Sequence, residues 1–519
     1  MDVNLQWQRE APTGPTRSHS AVGTVPGLTA PGRRRSLWAV IGFFLLRNLL
    51  SRIIRHGELT LIAPDGRSHT FGRDGASVTV RIASWKTVWR MFFNPDLALG
   101  EDYMNGDVIV ESGSIYDFVD LCLSNLGWSY GHWIQRAHGL IRRTTRRLAQ
   151  YNPAPIARRN VAHHYDLSDT LYDLFLCADR QYSCAYYKSM DDTLEEAQDQ
   201  KKRHIAAKLL LRPGQRVLDI GSGWGGLALH LAQHPGVDVT GITLSTEQHQ
   251  YANRRAEDDG LKDRVRFLLR DYRDESGRYE RIVSVGMFEH VGIGHFREYF
   301  AKVRDSLTDD GVALIHTIGR SDGPGAANAW MQKYIFPGGY TPALSEITPV
   351  VERAGLHITD IEVLRLHYAE TLAAWRQRFM AQRDKIADLY DDRFCRMWEF
   401  YLASCEAAFR HSGLVVFQIQ LSKRIDAVPL TRDYISAWEQ SHPLMDTMRV
   451  GTEASRRKAC GVARHNSARE SVTPHPHNNA PSTPVATGID VVEEVSMETF
   501  PASDAPAWLS RRSGMRSNG

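Results

Sequence analysis

The chain has 519 residues and a mass of 58.6 kDa, more than one hydrophobic core accommodates, which predicts two or three structural units. With 42% hydrophobic and 24% charged residues its composition is globular and excludes a wholly disordered chain. A net charge of +3 is too small to attract a polyanion to the protein as a whole, so no nucleic-acid partner is expected. The six cysteines form no CxxC pair, which favours a reducing compartment.

The N-terminal end is basic. Residues 1–35 are rich in Pro, Gly, Ser and Thr, which predicts a disordered leader. The apolar run from Leu37 to Leu46 is about half as long as a bilayer span requires, and no small-residue cleavage site follows it, which argues against export. Leucines and isoleucines continue at helical spacing to position 54, with arginines on other faces. The pattern predicts a basic amphipathic helix over residues 36–55, which either contacts an anionic lipid surface or docks on its own domain.

Composition divides the remainder into further segments. Residues 56–126 read as strand, Pro-Asp-Gly turn and further alternating runs, which predicts a small N-terminal α/β domain. Residues 127–160 contain seven arginines and no acidic residue, so they form a basic linker that contacts phosphate head groups or is simply solvated. Residues 452–519, with many Pro, Asn, Ser and Thr, are predicted to be a disordered tail.

Residues 161–430 are predicted to form one further domain. From about residue 205, short apolar runs alternate with helical stretches, which is typical of an α/β protein with a doubly wound, mostly parallel sheet. The runs are Arg216–Ile220, Val237–Ile242, Val265–Leu268, Arg281–Val285 and Val312–His316. A late run, Val415–Leu421, follows a long helical region and is predicted to be a strand at the sheet edge or an antiparallel one.

A glycine loop stands where the first of these strands passes into a helix. The string VLDIGSGWGG, beginning at Val217, has the glycines that a tight turn and a close ligand require. It also fits the dinucleotide pattern GxGxxG, but no acid follows the second strand to hold a ribose. The acid instead is Asp219, before the first glycine, which suits the charged amino-acid part of S-adenosylmethionine. Asp271 and Tyr272, after the third strand, either border its adenine or form an ordinary turn.

From about residue 160 to 425, half of the chain, the sequence resembles the cyclopropane-fatty-acyl-phospholipid synthase family, which is related to mycolic acid cyclopropane synthases. The strings NVAHHYDLSDTLYDLFL, VLDIGSGWGG, GVDVTGITLSTEQ, VSVGMFEHVG and FPGGYTP carry the resemblance. It implies a Rossmann-like class I methyltransferase fold. It further implies methyl-donor contacts at Tyr182, Ser183, Gly221, Ser222, Gly223, Thr243, Leu244, Gln248, Asp271 and Tyr272.

The resemblance also implies a bicarbonate ion beside the reacting carbons. The matching positions are Cys184, Glu289, His316, Ile318 and Tyr368. A cysteine matching Cys405 is treated as catalytic in the family, although a thiol has no obvious task and buried cysteines are usually inert. Neither Phe288-Glu289-His290 nor His163-His164 has the spacing of a metal site, so no metal is expected.

The implied chemistry explains this choice of residues. A cis double bond is a weak nucleophile, so its attack on a sulfonium methyl depends on positioning in a dry pocket. The attack leaves a carbocation, and a base must remove a proton from the added methyl group to close a three-membered ring. Bound bicarbonate could be this base, with His316 and Tyr368 as hydrogen-bond donors and Glu289 accepting its proton or orienting it.

The sequence therefore predicts S-adenosylmethionine-dependent methylene transfer to the cis double bond of unsaturated phospholipid acyl chains. The enzyme would be cytoplasmic and peripheral on the inner face of the cytoplasmic membrane; whether it forms a homodimer stays open. In one alternative the same cation undergoes a hydride shift instead of ring closure, which gives a methyl-branched or methylene chain. Others are amine methylation of a small molecule and a non-catalytic lipid-binding module with a vestigial loop.

Overall fold

The computed structural model describes residues 37–126 and 168–443, apart from residue 235. The predicted leader, basic linker and tail lie outside the described residues. Within the described ranges, no helix combines the length and the apolar character needed to cross a membrane. The five cysteines in this part of the chain are free thiols.

The N-terminal part is a small sheet with helices packed against it. Its strands are β1 (Gly57–Ile62), β2 (Ser68–Arg73), β3 (Ser77–Ile82) and β4 (Val108–Ser112), in the order β2-β1-β3-β4. Its helices are α1 (Leu37–Ile53), α2 (Trp85–Phe93), α3 (Pro95–Met104) and α4 (Ile115–Leu126). Alternate residues of β1 and β3 are buried, as expected of a sheet with one face on a core.

The second part is built on a seven-stranded sheet with the order β10-β11-β9-β8-β5-β6-β7. Its strands are β5 (Arg216–Ile220), β6 (Asp238–Thr243), β7 (Val265–Leu269), β8 (Tyr279–Val285), β9 (Leu307–Arg320), β10 (His357–Leu364) and β11 (Leu414–Ser422). The helices before and between the first five strands are α5 (Asp169–Phe175), α6 (Leu194–Leu209), α7 (Gly226–Ala232), α8 (Thr246–Asp258) and α9 (Phe296–Ser306). The remaining helices are α10 (Ala329–Tyr334), α11 (Leu344–Ala354), α12 (His367–Ala381), α13 (Arg383–Leu389), α14 (Asp392–His411) and α15 (Asp433–Ser441).

This topology confirms the predicted doubly wound α/β fold. The late strand β11 is antiparallel to both β9 and β10, which confirms one of the two predicted options. The other option, a position at the sheet edge, is wrong because β10 pairs with its outer side. The sequence does not predict β10, because its residues HITDIEVL lack a continuous apolar run. In the structure most of these residues are half-buried.

The helices α12, α13 and α14 lie between β10 and β11 in the chain and form a cap. Helix α3 of the N-terminal part packs against this cap. The Tyr103 hydroxyl donates to Glu399 Oε2 over 2.9 Å, in a buried hydrogen bond. Gly100 permits the approach, because a Cβ there would lie 2.7 Å from the ring of Phe400 on α14.

Candidate active site

A cleft opens beyond the carboxyl ends of β5, β6, β7 and β8, where doubly wound folds bind their ligands. It is lined by every residue that the sequence predicts to contact the methyl donor. These are Tyr182, Ser183, Asp219, Gly221, Ser222, Gly223, Thr243, Leu244, Gln248, Asp271 and Tyr272. The fold therefore brings segments almost a hundred residues apart in sequence to one place.

The glycine loop forms one wall of the cleft, and two of its glycines adopt left-handed backbone conformations that disfavour other residues. Gly221 has a φ of +84°, and a Cβ there would lie 2.9 Å from the side chain of Met287. Gly223 has a φ of +55°, and a Cβ there would meet no atom within 4 Å. A ligand can thus approach the backbone directly at this turn.

Asp219 lies at the floor of the cleft with a side chain that is almost fully buried. Its Oδ2 has no hydrogen-bond partner among the described residues. Burial raises the pKa of this carboxyl to about 7, although the positive charge of Lys201 acts in the opposite direction. An unsatisfied buried carboxylate oxygen is costly on its own and suits an ammonium group of a ligand. The residues present therefore fit the amino-acid end of S-adenosylmethionine.

Lys201, on α6, is a site residue that the sequence reading missed. Its side chain is fully buried, and its Nζ donates to Gln181 Oε1 over 2.6 Å and to Ser183 Oγ over 2.8 Å. Burial lowers the pKa of the ammonium group to about 8. The lysine thus fixes two residues of the cleft wall. No local signal reveals this, since a lysine in the string DQKKRH reads as part of a solvated helix face.

Asp271 has a partner that the sequence reading did not foresee. Its carboxylate accepts from Nε and Nη2 of Arg273 over 2.8 and 2.7 Å. It also accepts from the backbone N–H of Arg273 and caps the short turn Tyr272–Asp274. The arginine thus holds a negative charge at the adenine end proposed for the cleft. At the end of the neighbouring strand β6, Thr243 Oγ1 donates to Gln248 Oε1 over 3.0 Å.

Glu289 and Ile318 are in direct contact. Glu289 lies in the short helical turn Phe288–His290, after β8, and its Oε1 accepts from the backbone N–H of Ile318 over 2.6 Å. Its Oε2 has no partner among the described residues. Burial raises the pKa of this carboxyl to about 7, against the opposing effect of the Ile318 hydrogen bond. The contribution of Ile318 to the site is thus a backbone N–H directed at Glu289.

His316 lies inside β9 and not at its end, because this strand continues to Arg320. In register it is opposite Val285, the last residue of β8, so it remains level with the carboxyl ends of the neighbouring strands. Burial lowers the pKa of the imidazole to about 3, which keeps the ring neutral. Its Nδ1 lies 3.2 Å from Nε2 of Gln418.

Two further predicted residues, Cys184 and Tyr368, lie at the cap. The Cys184 thiol donates to the carbonyl of Ala185 over 3.3 Å, and burial raises its pKa, so it stays protonated. Tyr368 is the second residue of α12, and its ring contacts those of Trp375 and Phe409.

Cys405 lies on α14, one turn after Tyr401. The hydroxyl groups of Tyr401 and Tyr182 are 2.9 Å apart, which connects this helix to the donor cleft. Burial raises the pKa of the Cys405 thiol to about 12, so a thiolate nucleophile is not available there at neutral pH. A catalytic role for Cys405 stays a prediction.

Across residues 37–126 and 168–443, no cluster of three or more His, Cys, Asp and Glu could hold a metal ion.

Comparison with known proteins places the chain in a family. The model of the mycolic acid cyclopropane synthetase family matches residues 154–419. A cyclopropane-fatty-acyl-phospholipid synthase from Escherichia coli is 44% identical over 263 residues, which cover 51% of this chain and 67% of that protein. A tuberculostearic acid methyltransferase from Mycobacterium tuberculosis is 35% identical over 397 residues, which cover 72% of this chain and 90% of that protein.

A solved structure agrees with these sequence matches. A cyclopropane synthase from Mycobacterium tuberculosis superimposes with a TM-score of 0.50 and 31% identity, covering 53% of this chain and 99% of its own. The chain therefore belongs to the mycolic acid cyclopropane synthetase family and is an S-adenosylmethionine-dependent methyltransferase.

Proposed function

We propose that this enzyme adds a methylene group to the cis double bond of unsaturated acyl chains in membrane phospholipids. The observation that carries the proposal is Glu289, a buried carboxyl with one oxygen held by Ile318 and the other without a partner among the described residues. Methylation of a heteroatom does not need such a group, whereas ring closure on a carbon chain requires removal of a proton. The 44% identity to a cyclopropane-fatty-acyl-phospholipid synthase supports the same reaction.

The residues of the cleft would hold the methyl donor. S-adenosylmethionine, when bound, supplies an electrophilic methyl group. Asp219 binds its ammonium group, the glycine loop gives the donor access to the backbone, and Asp271 with Arg273 borders the adenine. Tyr182 and Ser183, on the cap side of the cleft, orient the donor towards the acyl chain.

A second group of residues would remove the proton from the added methyl group. Bicarbonate, when bound, supplies a base beside the added methyl group. Neutral His316 and the hydroxyl of Tyr368 donate hydrogen bonds to the anion, while Cys184 forms an apolar wall. Glu289, with a pKa near neutrality, can either donate to the anion or take over its proton. The cap excludes water, which would otherwise capture the carbocation.

A methyl-branched chain is the second candidate product. The similarity to the tuberculostearic acid methyltransferase, which covers 90% of that relative's length, favours this product. The two products share the methyl transfer and the carbocation. They differ in which carbon loses a proton. Loss from the added carbon closes the ring, whereas loss from a neighbouring chain carbon after a hydride shift leaves a methyl-branched, unsaturated chain, so the position of the buried base decides between them.

The N-terminal helices would bring the enzyme to its lipid substrate. Four large apolar side chains of α1 and α2 are largely exposed, and we call them the apolar patch: Leu37, Trp38, Phe44 and Phe93, with exposed fractions of 73%, 70%, 59% and 49%. Trp89 links both helices, because its ring contacts those of Trp38 and Phe93. Arg47 and Lys86 lie on the same two helices and are exposed, which suits the anionic inner face of the cytoplasmic membrane.

A labelled donor tests the proposed reaction. Vesicles of unsaturated phospholipid are incubated with the purified full-length chain and S-adenosylmethionine that carries a CD3 group, and the fatty acids are analysed by mass spectrometry. We expect products that are heavier by CD2, because ring closure removes one deuterium. Products that retain all three deuteriums establish the methyl-branched alternative, and unlabelled lipid refutes both.

Replacement of Glu289 tests its role in proton removal. We expect Glu289→Gln to lower kcat about 100-fold, since general acid–base groups contribute typically 10²–10⁴-fold. The affinity for S-adenosylhomocysteine, measured by isothermal titration calorimetry, should stay within about twofold because the residue lies outside the glycine loop. Full turnover in the variant would remove Glu289 from the mechanism.

The pH dependence of donor binding tests Asp219. Because burial raises the pKa of the carboxyl to about 7, lowering the pH protonates it and removes the charge that attracts the ammonium group. S-adenosylhomocysteine should bind about tenfold more weakly at pH 5.5 than at pH 7. The variant Asp219→Asn should bind weakly at both values, and an equal pH effect in this variant would contradict the assignment.

Vesicle sedimentation tests the apolar patch. We expect the double variant Trp38→Ser, Phe44→Ser to lose most of its binding to anionic phospholipid vesicles while keeping its affinity for S-adenosylhomocysteine. The matched control is Ile425→Ser, Leu430→Ser, which removes two side chains that are at least as exposed, 78% and 105%, on a different surface. Equal losses in both double variants would show that the effect is not specific to the patch.

A further inference from the structure

Gln418 is buried beside His316 although no substrate chemistry has been assigned to it. The two residues are direct cross-strand partners on β11 and β9, and their side chains are 0% and 2% exposed. Because directly opposite residues of a sheet point to the same face, their side chains meet, with Gln418 Nε2 lying 3.2 Å from His316 Nδ1. The antiparallel insertion of β11 is what creates this pair.

The orientation of the Gln418 amide is fixed from its other side. Lys208 Nζ lies 2.9 Å from Gln418 Oε1. An ammonium group only donates hydrogen bonds, so the amide oxygen must face the lysine and the amide NH2 must face the histidine. Lys208 itself is fully buried and is held by Glu362, to which its Nζ also donates, and by Asp360 at 3.8 Å. Lys208 therefore donates in two directions, to Glu362 on one side and to Gln418 on the other, and the Gln418 amide passes the donation on to His316.

We propose that Gln418 is a positioning residue that fixes His316 as the Nε2–H tautomer. The amide NH2 donates to Nδ1, so Nδ1 carries no proton and Nε2 is the only ring nitrogen that can donate. The inference rests on the proposed function, in which His316 donates to the anion, and it names the residue that makes this donation possible. Glu362, Lys208 and Gln418 thus determine which ring nitrogen of His316 carries the proton, although none of them contacts that proton.

Two features support this assignment beyond the distances. The ammonium groups of Lys201 and Lys208 add to the burial that lowers the pKa of His316, so the ring does not become doubly protonated. Residues that orient a functional imidazole through its second nitrogen are a general device, and their loss typically lowers activity 10–100-fold.

Kinetics with a matched control distinguish positioning from packing. We expect Gln418→Met to lower kcat at least tenfold, with the KM for S-adenosylmethionine within about twofold of the wild type. The control is Gln420→Met, since Gln420 is also fully buried on β11 and also hydrogen-bonded, to the Lys208 carbonyl and to Tyr434, but does not contact His316. This control should keep kcat within about twofold. Equal losses of kcat in both variants would overturn the proposal.

Nitrogen-15 NMR of the full-length chain tests the tautomer without any turnover. With ring-labelled histidine, and with His316 assigned by comparison with His316→Asn, the wild type should show a protonated Nε2 and an unprotonated Nδ1. In Gln418→Glu the carboxylate accepts from both neighbours, so Nδ1 should become protonated. A proton on Nδ1 in the wild type would refute the inference directly. If the tautomer is as expected but labelled lipid does not form, the proposed function fails and the positioning role of Gln418 stands.

Discussion

The helix α6 imposes the constraint on which the rest of the catalytic part depends, because it carries charged side chains into the core. A buried charge is tolerated only if it is paired and hydrogen-bonded, so each of these side chains dictates what must lie beside it. Lys201 requires the oxygens of Gln181 and Ser183, which sets the wall of the donor cleft. Lys208 requires Glu362, which ties β10 to α6. Removing one of these partners would leave a buried ammonium group without one of its hydrogen-bond acceptors.

The antiparallel strand β11 converts this packing into an active-site geometry. It lies between β9 and β10, so the cap helices that connect β10 with β11 come to lie beside the carboxyl ends of the parallel strands. The same insertion places Gln418 opposite His316, within reach of Lys208. The charge on α6 and the imidazole on β9 are therefore connected through one amide.

Asp219 and Glu289 illustrate how two similar carboxyls acquire different tasks. Burial raises the pKa of both to about 7, and both have an oxygen without a partner among the described residues. Asp219 faces the donor cleft under the field of Lys201, which favours its charged form and the binding of a cation. Glu289 instead is held by the N–H of Ile318, which fixes its geometry and leaves its proton exchangeable. In the proposed function, location and not residue type separates the binding role of Asp219 from the proton-transfer role of Glu289.

The sequence by itself determined the glycine loop, the residues at the strand ends and thereby the donor cleft. These features are local: a tight turn demands glycine, and parallel strands end at a common edge. Only the tertiary structure decided the roles of Lys201, Gln418 and the Ile318 backbone. Each of them acts through a partner on a distant segment, and their residue types read as solvated or merely buried positions in isolation. Pairing between distant segments depends on how strands are ordered in the sheet, and strand order leaves no pattern in the neighbouring residues.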